Sequence, residues 1–178
     1  RDRLRSRGLG DVYKRQSAGG SQSRDLDLKE LCTEEQVFQY ADFEWGTDSE
    51  QLFKQSSLKF DEKDLGQGDE SSTKTYESKE KFSLENAESN MDLEFSDGQL
   101  SQVSFTFDIE QDANTWIQKE VDELNSLYGG GIATGLGNQI YQWQGEQDTV
   151  LQLTAFTEGD ESATVILSVA SMEYSIGS

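Results

Sequence analysis

Many enzymes depend on residue types that are scarce in this 178-residue chain, which contains no histidine and a single cysteine, Cys32. Histidine is the commonest general base and a common metal ligand, so its absence excludes Ser-His-Asp and Cys-His catalysis. One cysteine can form neither an intramolecular disulfide nor a thiolate metal cluster, and we interpret Cys32 as a small, half-buried apolar residue. We therefore predict a protein that is not an enzyme and that uses no cofactor.

Carboxylates are abundant, with 35 Asp and Glu residues against 15 Lys and Arg. A pair of them acting as acid and base, as in glycosidases, is the remaining enzymatic hypothesis, but no particular pair stands out among so many. A calcium site is a further hypothesis for the acidic segment 61–72. The spacing of Asp61, Asp64 and Asp69 lacks the regular alternation and the closing Glu of a calcium-binding loop, so we predict a mobile loop without a metal.

The glycine-rich segment from Gly129 to Gly137 has the composition of a phosphate-binding loop. It lacks the Lys-Ser/Thr ending of a P-loop, and it follows a predicted helix instead of joining a strand to the N-terminus of a helix. We interpret this segment as a plain connection.

Three tryptophans are candidates for an aromatic platform that binds sugars or peptides. Trp45 falls on the apolar side of a predicted strand and Trp116 on the apolar stripe of a predicted helix, so we assign both to the core. Trp143 is flanked by Gln142, Gln144 and the glycine-rich segment, which favours one exposed ring face. Trp143 is therefore the candidate exposed binding aromatic.

The first sixteen residues are not expected to belong to the fold. Residues 6–16, SRGLGDVYKRQ, resemble the translation of a transposase-end adaptor from a sequencing library. We expect Arg1–Gln16 to be read-through from a metagenomic assembly and the true N-terminus to be missing. The alternative is a genuine basic arm that binds nucleic acid.

The net charge of the remaining chain limits its partners. Excluding Arg1–Gln16 removes six basic and two acidic residues and leaves nine basic and 33 acidic ones, so the net charge falls from −20 to −24. A charge of this size repels phosphate backbones and anionic lipid. We expect no nucleic-acid partner and no insertion of the folded domain into a membrane.

The elements that must position these residues begin after a flexible leader, which we predict over residues 17–32 because its first part is rich in Ser and Gly. We predict a single domain over residues 33–171. Alternating apolar residues from Val37 to Trp45 predict a half-buried strand, and a helix from Thr33 is the alternative.

The segment Thr47-Asp48-Ser49-Glu50 has the spacing of a capping box. In this motif the hydroxyl of the first residue accepts a hydrogen bond from the amide of the fourth, whose carboxylate reaches back. We predict a short helix that starts there and buries Leu52 and Phe53.

A strand at Phe82–Leu84 and a hairpin around Ser96-Asp97-Gly98 are predicted next. A two-residue turn would pair Phe95 with Leu100 and place the apolar residues of the two hairpin strands on opposite faces. A three-residue loop that ends in a left-handed bulge at Gly98 pairs Phe95 with Gln99 instead. We prefer this second register because it puts six apolar residues on one face: Met91, Leu93, Phe95, Val103, Phe105 and Phe107.

The clearest predicted element is a helix from Glu110 to Tyr128, with Asp108 or Asp112 as its cap and Gly129 at its end. Its apolar residues recur at three- and four-residue spacing and form one stripe: Ala113, Trp116, Ile117, Val121, Leu124 and Tyr128. We expect this helix to anchor the core.

Three strands are predicted after the glycine-rich segment, at Ile140–Trp143, Val150–Phe156 and Ala163–Ala170. The turn Glu158-Gly159-Asp160 closes a hairpin in which Leu151 and Leu153 face Val165, Leu167 and Val169. We predict a fraying tail over residues 172–178.

These elements predict an α+β fold, an antiparallel sheet with one short and one long helix packed on one face, arranged as two tandem helix–three-strand units. This order resembles the tandem modules of the β-lactamase-inhibitory-protein type and small exported bacterial lipoproteins. Three segments carry the resemblance: Phe43-Glu44-Trp45-Gly46-Thr47, Phe95-Ser96-Asp97-Gly98-Gln99-Leu100 and Leu127-Tyr128-Gly129. The resemblance spans Phe43 to Ala170; it implies a binding role and carries over no functional residue.

The first functional hypothesis is a non-enzymatic interaction module, lipid-anchored outside the cell, that binds a protein or a cell-envelope component through its sheet face or loops. The second is a cytoplasmic acidic protein of structural or regulatory role. The third is a carboxylate-based hydrolase. A signal peptide upstream of Ser17 separates the first from the second.

Overall fold

A computed structural model describes residues 23–63, 73–134, 139–159 and 161–175. The fold class is α+β, as predicted, and most strands pair antiparallel in one sheet. Within the described residues the strands are β1 Ser23–Asp25, β2 Phe60–Lys63, β3 Thr73–Leu84, β4 Ala87–Ser96, β5 Gln99–Ile109, β6 Ile132–Thr134, β7 Gln139–Gln144, β8 Thr149–Glu158 and β9 Ser162–Ser171. The helices are α1 Ser49–Gln55, α2 Ala113–Tyr128 and α3 Met172–Ser175, with a 3-10 turn at Leu28–Leu31.

The sheet consists of two meanders joined side by side. Its strand order is β1-β3-β4-β5-β9-β8-β7-β6, and β2 also pairs with β3. Each of α1 and α2 precedes four strands along the chain, not the predicted three. The additional strands, β2 and β6, are short and lie at the periphery, where few residues alternate and the sequence pattern is weak.

Both α1 and α2 pack on the same face of the sheet, as predicted. In α1, Leu52 is buried, and the Phe53 ring contacts Phe60, Tyr76 and Phe95. The stripe of α2 buries Ala113, Ile117, Val121 and Leu124 against the core, whose largest fully buried side chains include Phe82, Phe95, Phe105 and Phe107. Burial of each large apolar side chain contributes about 1.5–3 kcal/mol before entropy is counted.

The β4–β5 hairpin brings its apolar residues onto one face, but with a turn and a register that differ from the predicted ones. Asp97 and Gly98 form a two-residue left-handed turn with φ of 51° and 81°, and Phe95 pairs with Leu100. The extra residue is Ser101, which has no partner in the register and restores Leu93 opposite Val103. Its hydroxyl donates to the Glu94 carbonyl at 3.1 Å, which satisfies the carbonyl at the bulge.

The predicted strand over Val37–Trp45 is wrong. This segment forms a folded loop, in which the Gln39 amide donates to the Leu31 carbonyl and the Ala41 amide to the Glu30 carbonyl. Tyr40 is buried whereas Ala41 is exposed with a φ of 49°, so inward-facing residues do not alternate as in a strand. The alternative helix from Thr33 is also absent from this described segment.

Both predicted helix starts shift along the chain. Asp48 caps α1, since its carboxylate accepts from the Gln51 amide at 2.8 Å, whereas the Thr47 hydroxyl donates to the Glu44 carbonyl. The long helix begins at Ala113 because Asp112 adopts a left-handed φ of 53° and makes no side-chain capping bond. The Ala113 amide donates instead to the Glu161 carbonyl, in the β8–β9 turn.

The predicted flexible termini are folded over part of their length. From Ser23 onwards the leader forms β1, parallel to β3, and Leu26, Leu28 and Leu31 are buried; residues 17–22 lie outside the described residues. The tail forms α3, and its Ser175 hydroxyl donates to the Ser101 carbonyl, which ties it to the sheet. The last three residues are likewise outside the described part.

The predicted hairpin of β8 and β9 is confirmed, with Leu151 opposite Val169 and Leu153 opposite Leu167. The acidic segment predicted as a mobile loop begins as a strand, because residues 61–63 belong to β2. Residues 64–72, including Asp64 and Asp69, lie outside the described residues.

Candidate binding surfaces

Trp143 is buried, so the prediction of an exposed ring face is wrong. Only 3% of its surface is exposed, and it pairs with Leu151 on the helix-covered face of the sheet. Its indole N–H donates to the Asn125 side-chain oxygen at 3.1 Å and to the Gly129 carbonyl at 2.9 Å. The flanking glutamines suggested exposure, yet in a strand they lie on the opposite face to Trp143.

The glycine-rich segment covers Trp143. Gly131 passes so close to the indole that a Cβ on it would lie 2.6 Å from a ring carbon, and its amide donates to the Asn125 side chain at 2.9 Å. A side chain cannot fit there, so this glycine is needed for close packing on Trp143.

Trp45 and Trp116 are partly buried and pack against the core, as predicted. The Trp45 indole N–H donates to the Phe38 carbonyl at 2.8 Å, and that of Trp116 to the Glu85 carbonyl at 3.2 Å. Both side chains are more exposed than Trp143. The sequence analysis predicted the opposite order of exposure.

The face of the sheet opposite α1 and α2 contains a region without charge. The registers of β6 to β9 place alternate residues of these strands on this side. We call the following side chains the uncharged face: Ile132, Thr134, Ile140, Gln142, Gln144, Val150, Gln152, Thr154, Phe156, Thr164, Ile166, Ser168 and Ala170. The last pair of β8 and β9, Glu158 and Ser162, lies on the same side and marks the end of this face at the β8–β9 turn. Ile132 and Phe156 are 59% and 43% exposed.

Acidic residues lie around the uncharged face on several sides. On β5, Asp108 pairs with Thr164 of this face, and one strand further, on β4, the same side of the sheet carries Glu88, Asp92 and Glu94. Glu158 and Glu161 lie at the β8–β9 turn, and Glu146 and Asp148 lie at the β7–β8 turn. Burial raises the pKa of Glu94 and Asp92, although Lys63, 3.4 Å from Asp92, counteracts the rise at Asp92.

A cleft at one end of the sheet includes Trp116 in its wall, and we call it the Trp116 cleft. It encloses about 580 Å³ between the β3–β4 turn, the β5–α2 connection and the first two turns of α2. Four carboxylates line it: Glu85, Asp108, Glu110 and Asp112. Lys119, also in the wall, pairs with Glu85 at 2.6 Å.

Glu120 is a buried acid that the sequence pattern did not single out. It lies on the inward side of α2 with 1% of its surface exposed, and neither carboxylate oxygen has a hydrogen-bond partner among the described residues. Burial raises the pKa of Glu120 to about 7, and the nearby Glu85 and Glu123 add to the rise, while Lys119 opposes it. At neutral pH this side chain therefore lies close to its titration midpoint.

The metal hypothesis finds little geometric support in the described part of the chain. No group of three His, Cys, Asp or Glu residues there could hold a metal ion. Asp61, from the calcium hypothesis, lies in β2, 3.7 Å from Lys79. Burial raises the pKa of the Cys32 thiol, which lowers its reactivity.

No protein-family model, curated protein or solved structure matches the chain. None of the described helices has the length and the apolar composition that crossing a membrane requires. What the chain does must therefore be inferred from its own surfaces.

Gly131→Ala is expected to destabilise the fold by about 1–3 kcal/mol, because the new methyl group overlaps the Trp143 indole. Gly130→Ala is the matched control, since a Cβ at that neighbouring position meets no atom within 4 Å. Urea unfolding of both variants measures the difference in the free energy of unfolding. Equal values for the two would show that Gly131 does not pack closely on Trp143.

Glu120→Gln is expected to stabilise the protein at pH 8 but not at pH 4.5. The folded-state pKa of about 7 lies above the ordinary 4.5, so the folded state binds the proton more tightly and wild-type stability falls as the pH rises from 4.5 to 7. The difference corresponds to about 3 kcal/mol at pH 8. Urea unfolding across this pH range tests it, with the exposed Glu146→Gln as control; a stability gain independent of pH would contradict the assignment.

Proposed function

We propose that this protein is a non-enzymatic binding module and that its uncharged face receives a protein partner. The observation that carries the proposal is the contrast between this face and the whole chain. Charged residues make up 28% of the sequence, which has a net charge of −20, whereas on this side of β6 to β9 the described residues include a single charged one, Glu158, at the end of β8. Depletion of charge at the centre of a surface patch is typical of protein interfaces.

The composition of the uncharged face suits a partner that is itself apolar at its centre. Ile132, Ile140, Val150, Phe156 and Ile166 supply apolar surface whose removal from water favours binding. Between them, Gln142 donates to the Gln152 side chain at 2.7 Å, and Gln152 to the Thr154 hydroxyl at 2.9 Å. These amides already have partners, so covering them costs less than covering free polar groups.

The border of the uncharged face selects the charge of the partner. Acids on β4 and at the two turns surround it, so a partner with Lys or Arg around an apolar centre complements it, while an acidic partner is repelled. Binding to such a partner weakens as salt concentration rises, because exposed charges are screened.

Gln152→Lys is expected to weaken binding at least tenfold, because it inserts a positive charge at the centre of the uncharged face. The probes are peptides selected on the wild-type chain from a phage-displayed random library, and we expect basic residues flanking apolar ones. Isothermal calorimetry compares this variant with Gln118→Lys, the same substitution on the exposed side of α2, for which we expect less than a twofold change. Acidic selected peptides, or equal weakening by both variants, would overturn the proposed face.

We further propose that the module is held outside the cell as a lipoprotein, with the Ser- and Gly-rich residues 17–23 in its tether. The alternative is a cytoplasmic acidic protein. Adaptor-free sequencing of the native locus separates them. A charged start, an apolar run and a Leu-x-x-Cys ending beside Ser17 are expected for the lipoprotein, whereas a start codon close to Ser17 without an apolar run contradicts it.

A further inference from the structure

The Trp116 cleft is a recessed surface next to the uncharged face, which it meets where Asp108 accepts a hydrogen bond from Thr164. Its walls come from three separate parts of the chain: Glu85–Ala87 at the β3–β4 turn, Asp108–Asp112 at and beyond the end of β5, and Thr115, Trp116 and Lys119 on α2. Its volume of about 580 Å³ is within the range of small-molecule sites.

The indole of Trp116 is held in place by the surrounding structure. Its ring lies 5.7 Å from that of Phe107, centroid to centroid, at an interplanar angle of 47°. Its N–H donates to the Glu85 carbonyl at 3.2 Å, so one edge is occupied by a backbone contact. Because the ring is fixed before any ligand arrives, a ligand that packs against it pays little ordering cost.

The charge around this indole is strongly negative. Of the carboxylates in the cleft wall, Glu85 pairs with Lys119, and Asp108 accepts a hydrogen bond from the Thr164 hydroxyl at 3.1 Å. Glu110 and Asp112 have no side-chain partner in the described part of the chain, and Asp112 does not cap α2. An anionic ligand is therefore excluded.

We propose that the Trp116 cleft binds an organic cation, an ammonium or guanidinium group that packs on the indole and is neutralised by the surrounding carboxylates. Tryptophan is the best aromatic partner for a cation, and nearby carboxylates strengthen the attraction. A neutral saccharide would also stack on the indole, but it would gain nothing from the excess of negative charge. The cation can belong to a free amine or to a basic side chain of a peptide, since both present the same group.

Nuclear magnetic resonance of the ¹⁵N-labelled full chain tests this site through the indole N–H signals of its three tryptophans. The small-molecule probe is agmatine, titrated at constant ionic strength against NaCl, and the peptide probe is Gly-Lys-Gly amide. We expect a saturable shift of the Trp116 signal, with the Trp45 and Trp143 signals unchanged. Saturation by agmatine alone identifies a small-amine site, and tighter binding of the peptide identifies a site for a basic side chain.

Glu110→Gln removes one negative charge but keeps the shape of the side chain. We expect it to weaken agmatine binding about three- to fivefold. Trp116→Phe keeps an aromatic ring against Phe107 but is a weaker cation partner, so we expect weaker binding by a similar factor, followed through the Lys119 amide signal. Trp45→Phe and Glu50→Gln are the matched controls, at a tryptophan and an exposed acid outside both the cleft and the border of the uncharged face, and should leave affinity unchanged.

Three results would overturn the proposal: shifts that grow linearly with NaCl as well as agmatine, saturation by glucose but not by agmatine, or equal weakening by the control and cleft variants. These outcomes do not depend on the proposed protein partner, because none of the substituted residues belongs to the uncharged face.

Discussion

The antiparallel pairing of β5 with β9 is the interaction on which the rest of the architecture depends. It joins two meanders into one sheet, and it places Val103, Phe105 and Phe107 opposite Val169, Leu167 and Val165. β5 and β9 are the last strands of their meanders, and α1 and α2 pack on one side of the joined sheet. The opposite side carries the uncharged face and the acids around it.

The same pairing divides that opposite side into two halves of different chemistry. On β2, β3 and β4 it carries charged residues, among them Lys63, Glu77 and Asp92, whereas on β6 to β9 the described residues carry one charge, Glu158 at the end of β8. The uncharged half is the surface that the proposed protein partner would cover.

This strongly negative chain buries some of its acidic side chains without a full set of partners. Glu120 lies inside the packing of α2 without a partner, and Asp92 has one oxygen buried and unpaired. Their carboxyls are destabilising when ionised, because the interior solvates charge poorly. Glu85, one of the acids whose negative charge raises the pKa of Glu120, lines the Trp116 cleft. A cation bound in the cleft would therefore reduce the repulsion between Glu85 and Glu120.

Period and spacing alone determined the α+β class, the stripe of α2, and the β8–β9 register, because these depend on contacts between residues near in sequence or on long, regular alternation. Tertiary structure decided the rest. The Asp97-Gly98 turn has two residues, and with this turn alone Leu93 and Val103 would not lie opposite each other in the core. The bulge at Ser101 shifts the register by one residue and restores that pairing. Trp143 was buried by its contacts with Gly131 and Asn125. The uncharged face became one surface because the registers of β6 to β9 set alternate residues of these strands side by side, away from α1 and α2, which the pattern of a single strand does not encode.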